Sequence, residues 1–537
     1  MSVVKTESMH RRIAVATVIV TTSVLLSRVL GFFREWALAH QIGANATTDA
    51  YNAAFTLPDF LNYLIAGGSL SVTFIPVFAK YVAEEREDQG WHVFSTVVTV
   101  MGFVLMALVA IGEIFASPLV KIVAPGFNPP EHALAVFLTR LMLPAQICFY
   151  EGSILSAVQY AKGKFVIPSL APIVYNACIV LGGLLLSPRI GVTGFAIGVL
   201  SGAFVGNFLL QVYGAAGVGA SFSPNFAVKD PGFRFFLKLS IPIMLALGLT
   251  FADDWIMRHY ASFLQHGSIT WLTYGKNLMR VPLGLVGQAI GVASFPILAQ
   301  LYSEKKYAEL NEILNSTFKA LILILVPISA FTIAESLPLV HLVFAHTRLN
   351  QLDFQATAVA LSFFSIGMFA WGAQNILARG FYATRNTITP AVVGTLMTFL
   401  SLPLYRFLME RTQYRGLALA SSTGIIAYTV VLFFLLIRRT QNQEAVGLIV
   451  FFAKVTAASL IAGVTCYALR RWAQTWLPEN RPTGALAMLI IVTSAGLLLL
   501  AILLRLFGIS HFEAYLRQAW AAFSRKLGRV PPNAQQV

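Results

Sequence analysis

Apolar runs of about 20 residues recur from one end of this chain to the other, and that leaves few folds open. Hydrocarbon offers no hydrogen bonds, so a segment crossing a bilayer must satisfy its own backbone, as a helix or within a closed barrel. The runs are continuous rather than alternating, which selects helices over strands. Composition agrees: 57% of the 537 residues are hydrophobic and 11% charged, with mean hydropathy +0.73. Soluble domains carry about 25% charged residues. No stretch is long and polar enough for a separate soluble domain.

The fold class expected is an all-α polytopic membrane protein of about 14 transmembrane helices. Hydropathy places the first six near 13–39, 49–81, 91–123, 132–160, 168–187 and 191–214. Six more fall near 233–262, 270–302, 316–345, 354–383, 387–408 and 415–437, and a final pair near 446–469 and 483–506. An Ala37-Leu38-Ala39 pattern follows the basic start, but Arg28, Arg34 and Glu35 interrupt the region a cleaved signal peptide would need.

With the N-terminus inside, the cytoplasmic side collects about 23 Lys and Arg, including Lys162, Lys164, Lys305, Lys306, Arg438 and Arg439. The opposite side collects about 10. Both termini are therefore expected in the cytoplasm. The net charge of +15 reads as this loop bias rather than as a nucleic-acid surface. Cys148, Cys178 and Cys466 fall singly inside apolar runs, so they imply neither disulfide nor metal.

The sequence also repeats. YAKGKFVIP at 160–168 matches YATRNTITP at 382–390, and IPVFAKY at 75–81 resembles FPILAQLY at 295–302, at offsets of 222 and 220. Two six-helix lobes of the same topology are expected, 1–215 and 216–440, related by a parallel pseudo-two-fold. An additional helix pair, 441–510, and a basic cytoplasmic tail, 511–537, follow. Substrate in such folds sits between the halves near mid-membrane.

Five cations fall inside the spans: Arg28, Arg34, Arg140, Lys276 and Arg280. Each costs about 2.5–3.5 kcal/mol at a helix centre before pairing relieves it, so such residues face a cavity or a partner. Arg28 and Arg34 lie about 120° apart on a straight helix, too far for one small ligand. A bend or unwinding at Gly31 would turn both toward one cavity. Glu35, about 10 Å along the axis from Arg28, reads as trimming the net charge rather than pairing with it. Asp49, after the polar turn GANATTD, is either a helix cap or the partner of a first-span arginine. Lys276 and Arg280, four apart, either face the cavity or snorkel to an interface. The second span carries Pro58, Gly67, Gly68 and Pro76, helix weakeners suited to a gate helix. Acids in the spans are Glu151, Asp253, Asp254 and Glu335. Of these, Asp253 or Asp254 is a candidate for a coupling cation.

Arginine forks match phosphate oxygens, so a basic intramembrane cavity suggests an anionic headgroup on a lipid. No Walker loop, H-E-x-x-H or G-x-S-x-G motif is present, and nothing here is an enzyme signature. No cofactor is expected. Any driving force would be Na⁺ or H⁺ coupling, the membrane potential or the substrate's own gradient, and an inside-negative potential favours anion export.

SRVLGFFRE at 27–35, TTDAYNAAFTLPDFL at 47–61, APGF at 124–127 and ARGFYATRNTITP at 378–390 together resemble the MurJ/MviN family, within the larger flippase and multidrug-exporter superfamily. The resemblance covers nearly the whole chain. It implies a lipid II flippase of peptidoglycan synthesis in the bacterial cytoplasmic membrane, working by alternating access. It also implies that Arg28, Arg34 and Asp49 are the diphosphate and gating residues, and that a groove between the last two helices takes the polyprenyl tail. The chain departs from the family pattern at Asn62, where arginine is common, at Gly67, where an acid is common, and at Lys276-Asn277, where an Asp-Arg pair is usual. Arg280 would supply the missing cation, with Lys276 and Asn62 as further substrate contacts. The departures leave two alternatives: another polyprenyl-diphosphate glycan or lipophilic drug as cargo, or a non-transporting scaffold for cell-wall synthesis proteins.

Overall fold

The computed structural model describes residues 2–66, 69–250 and 252–509, with side chains placed for these except 2–16, 65, 66, 69–72, 242–250 and 285–296. Gly67, Gly68 and the tail 511–537 lie outside the described residues. Among the described residues every regular element is helical. Among the described residues ten helical segments are long and apolar enough to cross a membrane, or 11 when Gln351–Ile366 and Met368–Ala383, bent by 41°, count as one. These match all the expected spans except the second, seventh and eighth. Helices Pro231–Thr250 and Ser268–Ser303 occupy the seventh and eighth places, with part of their side chains undescribed. The second is broken into Ala46–Ala54, Thr56–Leu61, a π-helical turn Asn62–Ala66, and Ser69–Ala83.

The breaks follow from local chemistry. Pro58 sits in the first turn of Thr56–Leu61, where its missing N–H costs no intrahelical bond, so a new helix starts there. Pro144 does the same between Pro129–Met142 and Ala145–Ala161.

The repeat is visible in the turns. Backbone positions with positive φ recur at nearly constant offset: Gly43 and Gly267, Glu85 and Lys305, Gly163 and Arg385, Gly191 and Gln413, Gly219 and Gln441. Helices Val166–Ile190 and Ile388–Thr412 start and end 222 residues apart. The interruption at Phe115, between Glu87–Ile114 and Ala116–Val123, recurs 220 residues later at Glu335, between Tyr307–Ala334 and Ser336–Val343.

By packing, the chain forms two compact units. The first comprises Met1–Tyr274, His346–Ala356 and Gly394–Leu417, and the second Gly275–Ala345, Thr357–Val393 and Ala418–Val537. In the first, Phe74, Phe78, Trp91, Phe94 and Phe236 form an aromatic core. Beside it, Tyr150 donates its hydroxyl to the Val97 carbonyl at 2.7 Å. Helices Val166–Ile190 and Thr193–Gly202 approach backbone to backbone. A Cβ on Gly198 would lie 2.7 Å from Ile179 Cα and 2.8 Å from the Cys178 carbonyl oxygen. Lipid tails are as apolar as side chains, so close van der Waals packing through small residues holds such pairs together. In the second unit Tyr307–Ala334 packs on Ala445–Ala473, with Gly463 against Ala330.

Gly198→Leu is expected to destabilise the protein by about 1–3 kcal/mol through overpacking. Gly447→Leu, at a position where an added Cβ meets nothing within 4 Å, serves as control. Thermal unfolding in detergent should show a lower midpoint for the first variant alone.

Candidate functional site

The first helix, Ser2–Gln41, runs unbroken through Gly31. The helix is therefore not unwound at Gly31. One glycine costs a helix only about 1 kcal/mol relative to alanine, less than the hydrogen bonds a break would leave unmade. A Cβ on Gly31 would meet nothing within 4 Å, so packing does not demand a break either. The two arginines consequently stay on different faces. Ser23, Ser27 and Arg34 share one stripe, at i, i+4 and i+11. Ser23 and Ser27 donate to the carbonyls of Ser169 and Pro172 on helix Val166–Ile190, and Asn176 Nδ2 donates back to Ser27. Arg34 continues the stripe beside Tyr51 and Tyr175, and its guanidinium bonds Glu35 Oε1 at 2.7 Å. Glu35 thus pairs directly with Arg34, beyond the charge-trimming role expected of it. Arg28 is half-buried and, among the described residues, has neither hydrogen-bond nor ion-pair partner.

Asp49 is 4% exposed. The cap of its helix is Asn45, whose side chain accepts from Thr47 and Thr48. Asp49 lies a turn further in and bonds neither first-span arginine. Its carboxylate accepts from Gly267 N at 2.6 Å, Thr270 N at 2.8 Å and Thr270 Oγ1 at 2.6 Å. It thereby caps, from a distant segment, the N-terminus of helix Ser268–Ser303, where orphan N–H groups and the helix dipole favour an anion. Asn52 Nδ2 adds a bond to Thr270 Oγ1 at 3.2 Å.

Other links join distant segments at the same end of the first unit. Gly126 N donates to Ser262 Oγ at 3.0 Å, and Arg348 N to the Ala39 carbonyl at 3.1 Å. His266 Nδ1 lies 2.6 Å from Glu131 Oε1, and Arg258 donates to Thr56 Oγ1 at 2.9 Å. Trp271 Nε1 bonds Asp353 at 2.8 Å. Together these form a latch, and no local pattern announces it, because Asp49 and Thr270 are 221 residues apart. Asp253 and Asp254 are half-buried, and Asp253 accepts from the Tyr405 hydroxyl. Among the described residues no three His, Cys, Asp or Glu side chains are grouped to hold a metal ion. Pro58 is buried, and Asn62 opens the π-helical turn half-buried.

In the second unit Lys276 is 2% exposed, with its ammonium 5.6 Å from the Phe364 ring centre and 5.5 Å from that of Trp371. It does not snorkel. Two aromatic faces hold it, an interaction worth about 2 kcal/mol when desolvated. Arg280, one turn on, is exposed, and Asn277 half-buried. The same unit contains an apolar cavity of about 500 Å³. Ile322, Val326, Phe369, Phe433, Phe452 and Leu460 are among its walls. Ser329 and Thr429 turn their hydroxyls away, to the carbonyls of Leu325 and Ala370. The lining comes from Tyr307–Ala334, Met368–Ala383, Tyr414–Thr440 and Ala445–Ala473, with Ile366. The first helix of the last pair thus lines a cavity that it shares with three helices of the second half.

Residues 38–486 match the family model described as lipid II flippase MurJ. Among curated proteins, the lipid II flippase MurJ of Burkholderia cenocepacia is 27% identical, over 81% of this chain and 86% of its own length. The probable lipid II flippase MurJ of Haemophilus influenzae is 28% identical over 84% and 92%. A solved structure, lipid II flippase MurJ in an inward closed conformation, superposes with TM-score 0.75 at 22% identity, covering 91% of this chain and 99% of that one. An inward-facing multidrug resistance MATE family transporter of the MOP superfamily shares the fold more distantly, at TM-score 0.62 and 13% identity. On the extent of the family match, this chain, a multi-pass helical membrane protein, belongs to the lipid II flippase MurJ family.

Proposed function

We propose that this chain moves lipid II from the inner to the outer leaflet of the bacterial cytoplasmic membrane by alternating access, as a transporter rather than an enzyme. Beyond the family membership, the observation that carries the reading is Arg28. A half-buried guanidinium on a membrane helix with no protein partner among the described residues is an anion site awaiting its anion. A diphosphate meets that need, and charge-assisted hydrogen bonds to it are worth about 1.5–3 kcal/mol each. Arg34 joins by exchanging Glu35 for phosphate. The polyprenyl tail takes the apolar cavity.

With both termini in the cytoplasm, the Asp49–Thr270 latch faces outward. Its closure keeps the outer side shut while cargo loads from within, and release requires Asp49 to give up three donors. That cost lets cargo binding, rather than thermal motion, decide when the outer side opens. The coupling force remains the membrane potential or a cation, with Asp253 as the candidate ligand. Asn62, where the family commonly carries arginine, favours a second reading with a different polyprenyl-diphosphate cargo. Native mass spectrometry of co-purified lipid separates the two.

Arg28→Ala should abolish complementation of a flippase-depleted strain at normal protein level, and full rescue would refute the assignment. Asp49→Asn should loosen the latch by about 2 kcal/mol, a roughly 30-fold gain in outer opening. The readout is labelling of a cysteine placed at Ala261, which is 1% exposed, by an impermeant maleimide in a background lacking the three native cysteines. Unchanged labelling would remove Asp49 from the latch.

A further inference from the structure

The second unit contains a buried acid that none of these roles uses. Glu335 is 1% exposed, and neither of its carboxyl oxygens has a hydrogen-bond partner. It occupies the break between Tyr307–Ala334 and Ser336–Val343, where the first half has Phe115. The break itself therefore needs no acid.

Charged groups surround it. Arg470, from helix Ala445–Ala473, donates Nη1 to the Ala334 carbonyl at 2.8 Å and Nε to Glu479 Oε2 at 3.1 Å. Gln474 Nε2 holds the other Glu479 oxygen at 3.0 Å. Arg470 and Glu479 are the charges acting on Glu335, and both also act on buried His341 of Ser336–Val343. Cys466, one turn before Arg470, lies in the field of Glu335 and is fully buried against Gly496. Helix Pro482–Leu506, packed on Ser336–Val343, carries a single titratable side chain, Arg505 at its far end.

The charges balance only one way. Arg470 is matched by Glu479. A second carboxylate, buried without a donor, would be an uncompensated charge costing several kcal/mol, so Glu335 carries a proton in this state. We infer that Glu335 is a proton-binding site that controls the seating of the C-terminal helix pair on Tyr307–Ala334. With its proton, Arg470 stays on the Ala334 carbonyl and Glu479, and the pair is docked. When the proton leaves, the new carboxylate competes for the guanidinium, pulls it from the Ala334 carbonyl, and the pair loosens. A carboxyl that is neutral when docked but ionises near pH 4.3 when freed favours docking at low pH and loses that contribution as pH rises. Ala330, Ile333 and Leu460 of the apolar cavity lie within ten residues of the cluster along the same helices, so loosening unseats one cavity wall.

Cys466 is a native reporter. In a full-length Cys148→Ser, Cys178→Ser protein in phosphatidylethanolamine–phosphatidylglycerol liposomes, its modification rate by N-ethylmaleimide is measured from pH 5.5 to 8.5. Each rate is divided by that of the same protein carrying Glu335→Gln, which cancels the intrinsic pH dependence of the thiol. The ratio should stay near one at pH 5.5 and rise at least ~5-fold by pH 8.5. Glu335→Leu, apolar like Phe115, should behave as Glu335→Gln and stands in if the glutamine variant fails to fold. A flat ratio overturns the proposal. So does a rise abolished by His341→Gln, which would make His341 the proton carrier, or a rise that follows sodium at fixed pH.

Discussion

Hydrocarbon satisfies no polar group, and nearly everything distinctive in this protein follows from that. Each polar side chain at membrane depth must find a partner in the protein, reach an aqueous surface or await a ligand. The structure shows mainly the first solution. Asp49 is bound by three donors, Arg34 by Glu35, Arg470 by Glu479 and the Ala334 carbonyl, and Lys276 by two aromatic faces. Arg28 and Glu335 are two of the charged or ionisable groups that lack such a partner among the described residues. One is a cation whose missing partner is read as cargo, the other an acid whose missing partner is read as a proton.

In the proposed cycle, the latch is where such pairing acts. Its strongest member is a carboxylate on a helix N-terminus, where the orphan amides of Gly267 and Thr270 would otherwise need water. Asp49 therefore caps helix Ser268–Ser303 and ties two distant segments together with the same atoms. A change of state must transfer those amides to another acceptor, so opening has a definite cost rather than a continuous softness.

Periodic features were legible in the sequence. The helical class, eleven of the spans and the offset of about 220 residues all follow from hydropathy and repeated turn chemistry, and the positive-φ positions reproduce that offset. The departures have physical causes. Gly31 stays helical because its weak propensity cost is no match for a continuous hydrogen-bond ladder in lipid. Thr270 was invisible as Asp49's partner because nothing local couples residues 221 apart. By its position in the span Lys276 could equally face a cavity or snorkel to an interface, and Phe364 and Trp371, from two other helices, decide its place. The apolar cavity of the second unit was not legible because hydropathy marks where apolar helices are, not how they pack.

The central claim is that an unpaired intramembrane arginine binds the diphosphate. It is tested most directly by the Kd of the purified protein for lipid II and for the same lipid carrying a single phosphate. The wild type should bind the diphosphate at least ~10-fold more tightly, as one charge-assisted bond of about 1.5–3 kcal/mol implies. Arg28→Ala should bind both weakly and alike. If the variant discriminates as well as the wild type, Arg28 does not read the diphosphate and the account fails.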